Sequence, residues 1–289
     1  PEARIFALPL ALDTLALYYN KDLLNAAGIA TPPTTWTEFQ EAVAKLTRVS
    51  SDGRIIQSGA ALGSSDNVER ATDILSVLMM QNGTTMTSES GQAVFAQNAD
   101  ITSPGIQAAI FYTDYANPVK EVYTWNEDQP NSFEAFANGK TAMFFGYAYH
   151  LPLLKTRAPK LKFSISTLPQ TGGQVVNYAN YWVETVAKAS GNQKWAWDFL
   201  QFASGKERVI SYLNAAQKPT ARRDMINDQI DDPNLSVFVE QLLTADSWYH
   251  GRNAQVTEDA FKALIHDILS GEFLENSIVK AQSKVNQTL

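Results

Sequence analysis

The chain has 289 residues, with 23 Lys and Arg against 30 Asp and Glu, a net charge of −7 and no cysteine. The acidic balance offers no basic surface for phosphates, which disfavours nucleic acid or an anionic membrane as a partner. The absence of cysteine excludes disulfides, thiolate metal sites and cysteine nucleophiles. No apolar run is long enough to predict a membrane-spanning helix, and 45% hydrophobic residues are typical of a well-packed globular protein.

Apolar strands open the chain. Residues 4–12 and 15–19 are β-prone stretches interrupted at Pro9 and Asp13, which predicts a strand, a break and a second strand. The chain begins at Pro1 inside what resembles the middle of a strand. We therefore expect that an upstream segment has been removed or left out.

Two helices with clear start signals follow these strands. Asn20 can cap the first helix, and Gly28 stands where a left-handed residue ends it. Thr35 and Glu38 have the spacing of a capping box, in which each side chain bonds a free backbone N–H of the first turn. The second helix should run from this box through Leu46.

Hydrophobic periodicity and turn residues predict the rest of the secondary structure. Further helices are predicted over residues 67–81, 132–138, 236–243, 257–269 and 273–285, with others opening at residues 103–104 and 192, and strands over residues 141–145, 162–166 and 175–186. No internal repeat or flexible linker separates these elements. Short strands interleaved with longer helices indicate an α/β protein.

The motifs of the common enzyme classes are absent from the sequence. His150, His250 and His266 are far apart and lack the spacing of a zinc site, so we expect surface or packing histidines, no metal and no cofactor. Acidic pairs such as Glu258 and Asp259 could supply the acid and base of a glycosidase. An acidic protein also carries such pairs on solvated loops and in first helical turns, where the helix dipole favours them.

Several stretches resemble one known family. The sequences LPLALDTLALYYNKDLL at residues 8–24 and PPTTWTEF at residues 32–39 resemble the extracellular solute-binding proteins of bacterial ABC importers. The closest group is the carbohydrate-binding one, family 1, which includes maltose-binding protein. Three later stretches agree in order and spacing, FANGKTAM at 136–143, VAKAS at 186–190 and KPTARRD at 218–224.

The resemblance implies a periplasmic-binding-protein-like fold of type II, in which two α/β lobes joined by hinge strands close on a ligand. It makes residues 1–12 a hinge strand and remnant of lobe 1, and residues 13–177 lobe 2. Residues 178–216 become the return hinge and the helical part of lobe 1, and residues 217–289 the final crossing and C-terminal helices packed on lobe 2. Because family members begin with a long N-terminal segment, we expect most of the N-terminal lobe to be missing from this chain.

A sugar site needs aromatic rings for the C–H face of the sugar and carboxylates or amides for its hydroxyls. Asp13 interrupts an apolar strand, and the resemblance places it where the family bonds ligand hydroxyls beside the hinge. A cap or hinge-stabilising carboxylate is its alternative role. Tyr149 falls on a position that stacks on the sugar, with Tyr147 beside it, and both could instead be ordinary core or surface aromatics.

The resemblance nominates four more residues. Tyr181 and Trp182 lie at the return hinge, where the family often places a ring facing the cleft, and one of them should point into the core because strand neighbours face opposite sides. Asp66 and Asn67 precede a helix that borders the cleft in the family. These two side chains could bond ligand or merely cap that helix.

Arg222 and several tryptophans complete the candidates. Arg222, in the final crossing, could bond a ligand hydroxyl or form a hinge salt bridge. Trp248 and Trp125 lie in polar, loop-like surroundings and could face ligand. Trp195, like Trp36 and Trp197, is expected in the core from its helical phase.

The sequence therefore predicts the non-enzymatic substrate-binding component of an ABC transporter, which captures a sugar or oligosaccharide and delivers it to permease membrane subunits. We expect a monomer when full length, in the periplasm or outside the cell, free or lipid-anchored. Two alternatives stay open. One is a carbohydrate-active hydrolase with a two-carboxylate site, and the other is a scaffold or receptor-associated protein that kept the fold but lost its ligand.

Overall fold

Short strands and longer helices alternate in the computed structural model, which describes residues 5–288. Arg4, where the first predicted strand was expected to start, lies outside the described residues. The strands are β1 (Leu8–Thr14), β2 (Ala16–Asn20), β3 (Arg48–Val49), β4 (Ile55–Gln57), β5 (Met143–Gly146), β6 (Phe163–Ser166), β7 (Asn177–Glu184) and β8 (Ala245–Asp246).

The α-helices are α1 (Lys21–Ala26), α2 (Trp36–Leu46), α3 (Ala71–Gln81), α4 (Pro104–Asp114), α5 (Ser132–Ala137), α6 (His150–Arg157), α7 (Gln193–Ala203), α8 (Lys206–Ala216), α9 (Ile226–Gln229), α10 (Ser236–Glu240), α11 (Ala254–Leu269) and α12 (Leu274–Asn286). Short 3₁₀ helices lie at Arg223–Met225 and Leu242–Thr244. Within the described residues, no helix combines the length and apolar character that crossing a membrane requires.

Two three-stranded sheets meet at the junction of β1 and β2. One has the order β1-β7-β8, with β1 antiparallel and β8 parallel to β7. The other has the order β5-β2-β6, with both outer strands antiparallel to β2. Only Leu15 separates β1 from β2, so the chain passes directly from the first sheet into the second.

The pairing of β1 with β7 contains a bulge. Pro9 lies opposite Val183 and Leu12 lies opposite Tyr181, so β1 carries one extra residue between these pairs. Proline has no N–H to donate and is tolerated within sheets mainly at edges and bulges. On the other side of β1, the Leu12 N–H donates to the Pro219 carbonyl at 3.2 Å. Three chain segments therefore run side by side here.

The main hydrophobic core surrounds the sheet β5-β2-β6. The predicted capping box is present, with Thr35 and Glu38 bonding each other's backbone, and it starts α2 at Trp36. Trp36 is buried, as its helical phase predicts. Phe39, on the same helix, packs edge-to-face against Trp36 at 5.3 Å between ring centroids and lies 5.5 Å from Phe145. The apolar face of α2 thus anchors this core.

A second, smaller cluster lies where α8 packs on β1, with Val209, Leu213 and Met225 at its centre. The neighbouring α7 has no buried residue. The prediction that Trp195 and Trp197 lie in the core is wrong, because Trp195 is 72% exposed and Trp197 is only half-buried. Helical periodicity identifies the apolar face of α7, but no described residue buries that face.

Phe39→Ala should lower the free energy of unfolding by about 3–5 kcal/mol, because the deletion leaves a cavity among rigid rings. Phe273→Ala is the matched control, since that ring is 75% exposed, and it should change stability by less than about 0.5 kcal/mol. Urea denaturation followed by tryptophan fluorescence measures both. Equal effects of the two substitutions would contradict this description of the core.

Candidate functional site

Two adjoining cavities lie along β7, one of about 740 Å³ and one of about 250 Å³. The residues that line both are Tyr149, Asn180, Tyr181 and Trp182. We call the two cavities together the hinge cleft. The larger cavity extends toward α3 and α11, and the smaller one extends toward β1 and the segment before Pro219.

Asp13 lies near the end of β1 and lines the smaller cavity. Its Oδ1 accepts hydrogen bonds from the backbone N–H of Thr14 at 2.9 Å and of Ala148 at 3.1 Å. Burial nevertheless raises the pKa of Asp13 to about 7, because desolvation outweighs these hydrogen bonds and the charge of Lys218. Asp13 therefore faces the cavity and also ties β1 to the loop that follows β5.

Tyr149 follows β5 and presents its ring to both cavities, with 39% of the residue exposed. The ring stacks on His150, with 4.1 Å between ring centroids, and its centroid lies 5.9 Å from that of Tyr147. Burial raises the pKa of Tyr149 to about 12, so its hydroxyl remains protonated at neutral pH. Tyr149 thus offers the cleft a flat, uncharged aromatic surface.

Tyr147 lies in the core and not in the cleft, so its nomination as a ligand-binding residue is wrong. Its side chain is fully buried, and its hydroxyl donates to Asp73 Oδ2 at 2.7 Å. Arg70 pairs with the same oxygen at 2.7 Å and lies over the Tyr147 ring. The hydroxyl proton of Tyr147 is therefore bonded within the protein, beneath the cleft wall.

Tyr181 and Trp182 both line the cleft, and they are 45% and 84% exposed. The expectation that one of them points into the core is wrong, because the half of β7 after Asn180 carries no packed layer of described residues on either face. Trp248 lines the larger cavity from a mostly buried position and donates its indole N–H to Ser76 Oγ at 3.2 Å. Only a small part of its side chain is therefore available to a ligand.

Asp66 and Asn67 do not line the cleft. Asn67 Oδ1 accepts the indole N–H of the buried Trp125 at 2.8 Å, and its amide donates to the carbonyls of Asn126 and Gln129 at 2.9 Å each. Neither residue caps the neighbouring helix, because α3 starts only at residue 71. Asn67 instead links two loops through these hydrogen bonds. The suggestion that Trp125 faces ligand is wrong, because its side chain is buried.

Arg222 forms a salt bridge and not a ligand contact. Its Nε and Nη2 donate to the two carboxylate oxygens of Asp224 at 3.0 and 2.9 Å. Its Nη1 donates to the carbonyl of Ser204 at 2.9 Å. Of the two roles predicted for Arg222, the salt bridge is therefore the one present, and its partner lies two residues further along the chain.

Several cleft residues were not identified from the sequence. They include Arg70, Asp73, Asn180, Tyr249, His250 and Glu258. Asn180 had a visible signal, since it interrupts a run of aromatic strand residues. Tyr249 and His250 adjoin Trp248 and could have been found with it, whereas nothing in the sequence marks Arg70 or Asp73.

The hinge cleft combines exposed rings with hydrogen-bonding groups. Tyr149, Tyr181 and Trp182 can cover the apolar face of a ligand, while Asp13 and Asn180 can bond its hydroxyls. Among the described residues, no three His, Asp or Glu side chains are placed to hold a metal ion. The arrangement suits non-covalent capture of a polyhydroxylated molecule.

Known proteins share sequence and fold with this chain. Residues 2–209 match the model of the family described as bacterial extracellular solute-binding protein. A binding protein of Brucella abortus (strain 2308) is 25% identical over 247 residues, which cover 83% of this chain and 57% of that protein. The chain thus spans little more than half the length of this curated relative.

Solved structures show the same α/β fold. A solute-binding protein of an ABC transporter from Thermotoga lettingae, bound with α-D-tagatose, aligns with a TM-score of 0.72 and 21% identity over 98% of this chain and 72% of that one. Maltose-bound MalE3 of T. maritima aligns with a TM-score of 0.72 and 20% identity over 100% of this chain and 74% of that one.

The family match and the fold confirm two inferences made from the sequence. The match covers most of the chain, including the opening stretch at residues 8–24 that carried the resemblance. The fold comparison confirms the α/β architecture of two-lobed binding proteins. The chain therefore belongs to the family of bacterial extracellular solute-binding proteins.

Proposed function

We propose that the chain is the substrate-binding component of an ABC importer and that its ligand is a sugar or oligosaccharide held in the hinge cleft. The observation that carries this proposal is the meeting of Asp13, Tyr149 and Trp182 around the smaller cavity. A carboxylate beside flat rings matches the two surfaces of a sugar. The tagatose-bound and maltose-bound relatives support the same ligand class.

The dimensions of the cleft favour an oligosaccharide. The larger cavity of about 740 Å³ lies within the range of about 300–1,000 Å³ that is usual for small-molecule sites. The adjoining cavity of about 250 Å³ extends it past Tyr149 toward Asp13. A ligand of two or more sugar units would lie along β7, with one unit near Asp13 and another near Trp248.

The proposed mechanism is closure about the segments that run side by side at the hinge. Residues 13–177 and the C-terminal helices share the larger core, whereas residues 206–216 pack on β1 in the smaller cluster. These two clusters support the division into two lobes. Closure would bury the exposed ring of Trp182 against the ligand, and the closed form would then dock on permease subunits at the periplasmic or extracellular side of the membrane.

Neither the family match nor the structural relatives support the hydrolase alternative. A glycosidase requires two available carboxyl groups on opposite sides of the scissile bond. In the larger cavity, Asp73 is occupied by Arg70 and Tyr147, and Glu258 pairs with Lys262 at 3.0 Å. A binding role needs no such pair.

Tyr149→Ala should weaken sugar binding by about 1–2 kcal/mol, roughly five- to thirtyfold in Kd, because the stacking surface is lost. Tyr123→Ala, outside the cleft, is the control and should leave Kd unchanged. Isothermal titration calorimetry with maltose, tagatose and a panel of other mono- and oligosaccharides measures this, using the chain with whatever natural sequence flanks it. If the unaltered protein binds no sugar in the panel, the proposed ligand class is wrong.

Sugar affinity should fall as the pH is lowered from 8.5 to 6.5. Ionised Asp13 accepts hydroxyl hydrogen bonds more strongly than the protonated acid, so ligand binding favours the form that exists above a pKa of about 7. Burial lowers the pKa of His250 from its ordinary value of 6.5, so its titration lies below this window.

Asp13→Asn serves as the matched variant for this pH dependence. At pH 8.5 it should bind about fivefold more weakly than the unaltered protein, since a neutral amide replaces a charged acceptor. Its affinity should then stay constant down to pH 6.5. Calorimetry at four pH values measures both proteins, and an equal pH dependence in the two would show that another group is responsible.

A further inference from the structure

His150 is fully buried directly behind the cleft wall. Its Nδ1 accepts the backbone N–H of Tyr147 at 2.9 Å and lies 3.3 Å from the carbonyl oxygen of the same residue. Its Nε2 lies 2.9 Å from Glu69 Oε2 and therefore donates to that carboxylate. With Nδ1 accepting from Tyr147 and Nε2 donating to Glu69, both ring nitrogens have partners inside the protein.

The imidazole supports the ring that faces the cleft. Tyr149 stacks on His150 with 4.1 Å between centroids and an angle of 30° between the planes. Gly146 makes room for this arrangement, because a Cβ at that position would lie 2.9 Å from His150 Nδ1. The orientation of the Tyr149 ring thus depends on where the imidazole lies.

Glu69 reaches His150 from the turn before α3. The hydrogen bond from His150 is the largest contribution that holds the pKa of Glu69 below its ordinary value. The next residue, Arg70, has left-handed backbone geometry with φ of 61°, which is uncommon for any residue except glycine. Its guanidinium lies 5.3 Å from the centroid of the Tyr147 ring. The consecutive residues Glu69 and Arg70 therefore contact residues 147–150 at two points, the imidazole of His150 and the ring of Tyr147.

We propose that Glu69 and His150 are positioning residues for ligand binding. Glu69 fixes the orientation and tautomer of His150, and His150 holds the ring of Tyr149 in the stacking position before the ligand arrives. Neither residue contacts the ligand, since neither lines the cleft. This inference rests on the proposed function, because it assigns a role to the support of the proposed stacking ring.

The test is a double-mutant cycle between Glu69 and Tyr149, with maltose and tagatose as the titrated sugars. Glu69→Ala should raise Kd about tenfold, the effect of losing one hydrogen bond to a charged group. Glu69→Gln, whose amide oxygen can still accept from Nε2, should restore affinity to within about threefold of the unaltered protein. In a Tyr149→Ala background, Glu69→Ala should have no further effect, because the ring that it positions is gone.

Glu134→Ala is the control. It removes an exposed ion pair with Arg157 of the same 2.9 Å length from another part of the chain, and it should leave Kd unchanged. If Glu69→Ala weakens binding equally in the presence and absence of Tyr149, or if Glu69→Gln does not restore affinity, the positioning role is wrong. A general loss of stability would act regardless of which side chain stands at position 149.

Hydrogen exchange provides a readout that needs no sugar. Glu69→Ala should raise the exchange rate of the Tyr147 amide about tenfold, because its acceptor is no longer held, while amides of α2 keep their rates. Unchanged exchange at Tyr147 would overturn the proposal even if sugar binds. Conversely, a protein that binds no sugar but shows this local increase would refute the proposed function and leave the structural support of Tyr149 standing.

Discussion

The antiparallel register of β1 against β7 is the constraint on which the cleft depends. It sets Asp13 opposite Asn180 and Leu12 opposite Tyr181, although these pairs are more than 160 residues apart in sequence. A register shift by one residue would turn every side chain of one strand to the other face. Asp13 and Asn180 would then no longer lie opposite each other, so the smaller cavity would lose its present pairing of a carboxylate with an amide.

The loop after β5 is the second element that the cleft requires, and buried polar contacts fix it from several directions. Tyr18 donates its hydroxyl to the Tyr147 carbonyl at 2.7 Å, Asp13 accepts the Ala148 N–H, and His150 accepts the Tyr147 N–H. Two of these partners lie on the adjoining strands β1 and β2, and the third lies at the start of α6. Because these contacts already hold the stacking ring in place, the protein loses less conformational entropy when a ligand binds.

Local signals in the sequence predicted local structure well. The Asn20 cap and the box at Thr35 are present because each depends only on contacts within one helical turn. The sequence was a weaker guide to contacts between residues that lie far apart along the chain. Tyr147 and Tyr149 are separated by one residue, yet one is buried on Asp73 and the other faces the cleft, a difference that arises from packing against α3 and not from their own neighbours in sequence.

The bulge at Pro9 bears on how bending at the hinge would be distributed. A continuous ladder of hydrogen bonds resists bending because some of its bonds must stretch or break. In β1, the register already changes between Pro9 and Leu12, and the proline nitrogen has no proton to contribute. Bending at this point would leave the pairing on either side intact, for example Leu8 with Glu184 and Asp13 with Asn180. The two paired parts of β1 would then each stay rigid, and the bending would occur between Pro9 and Leu12.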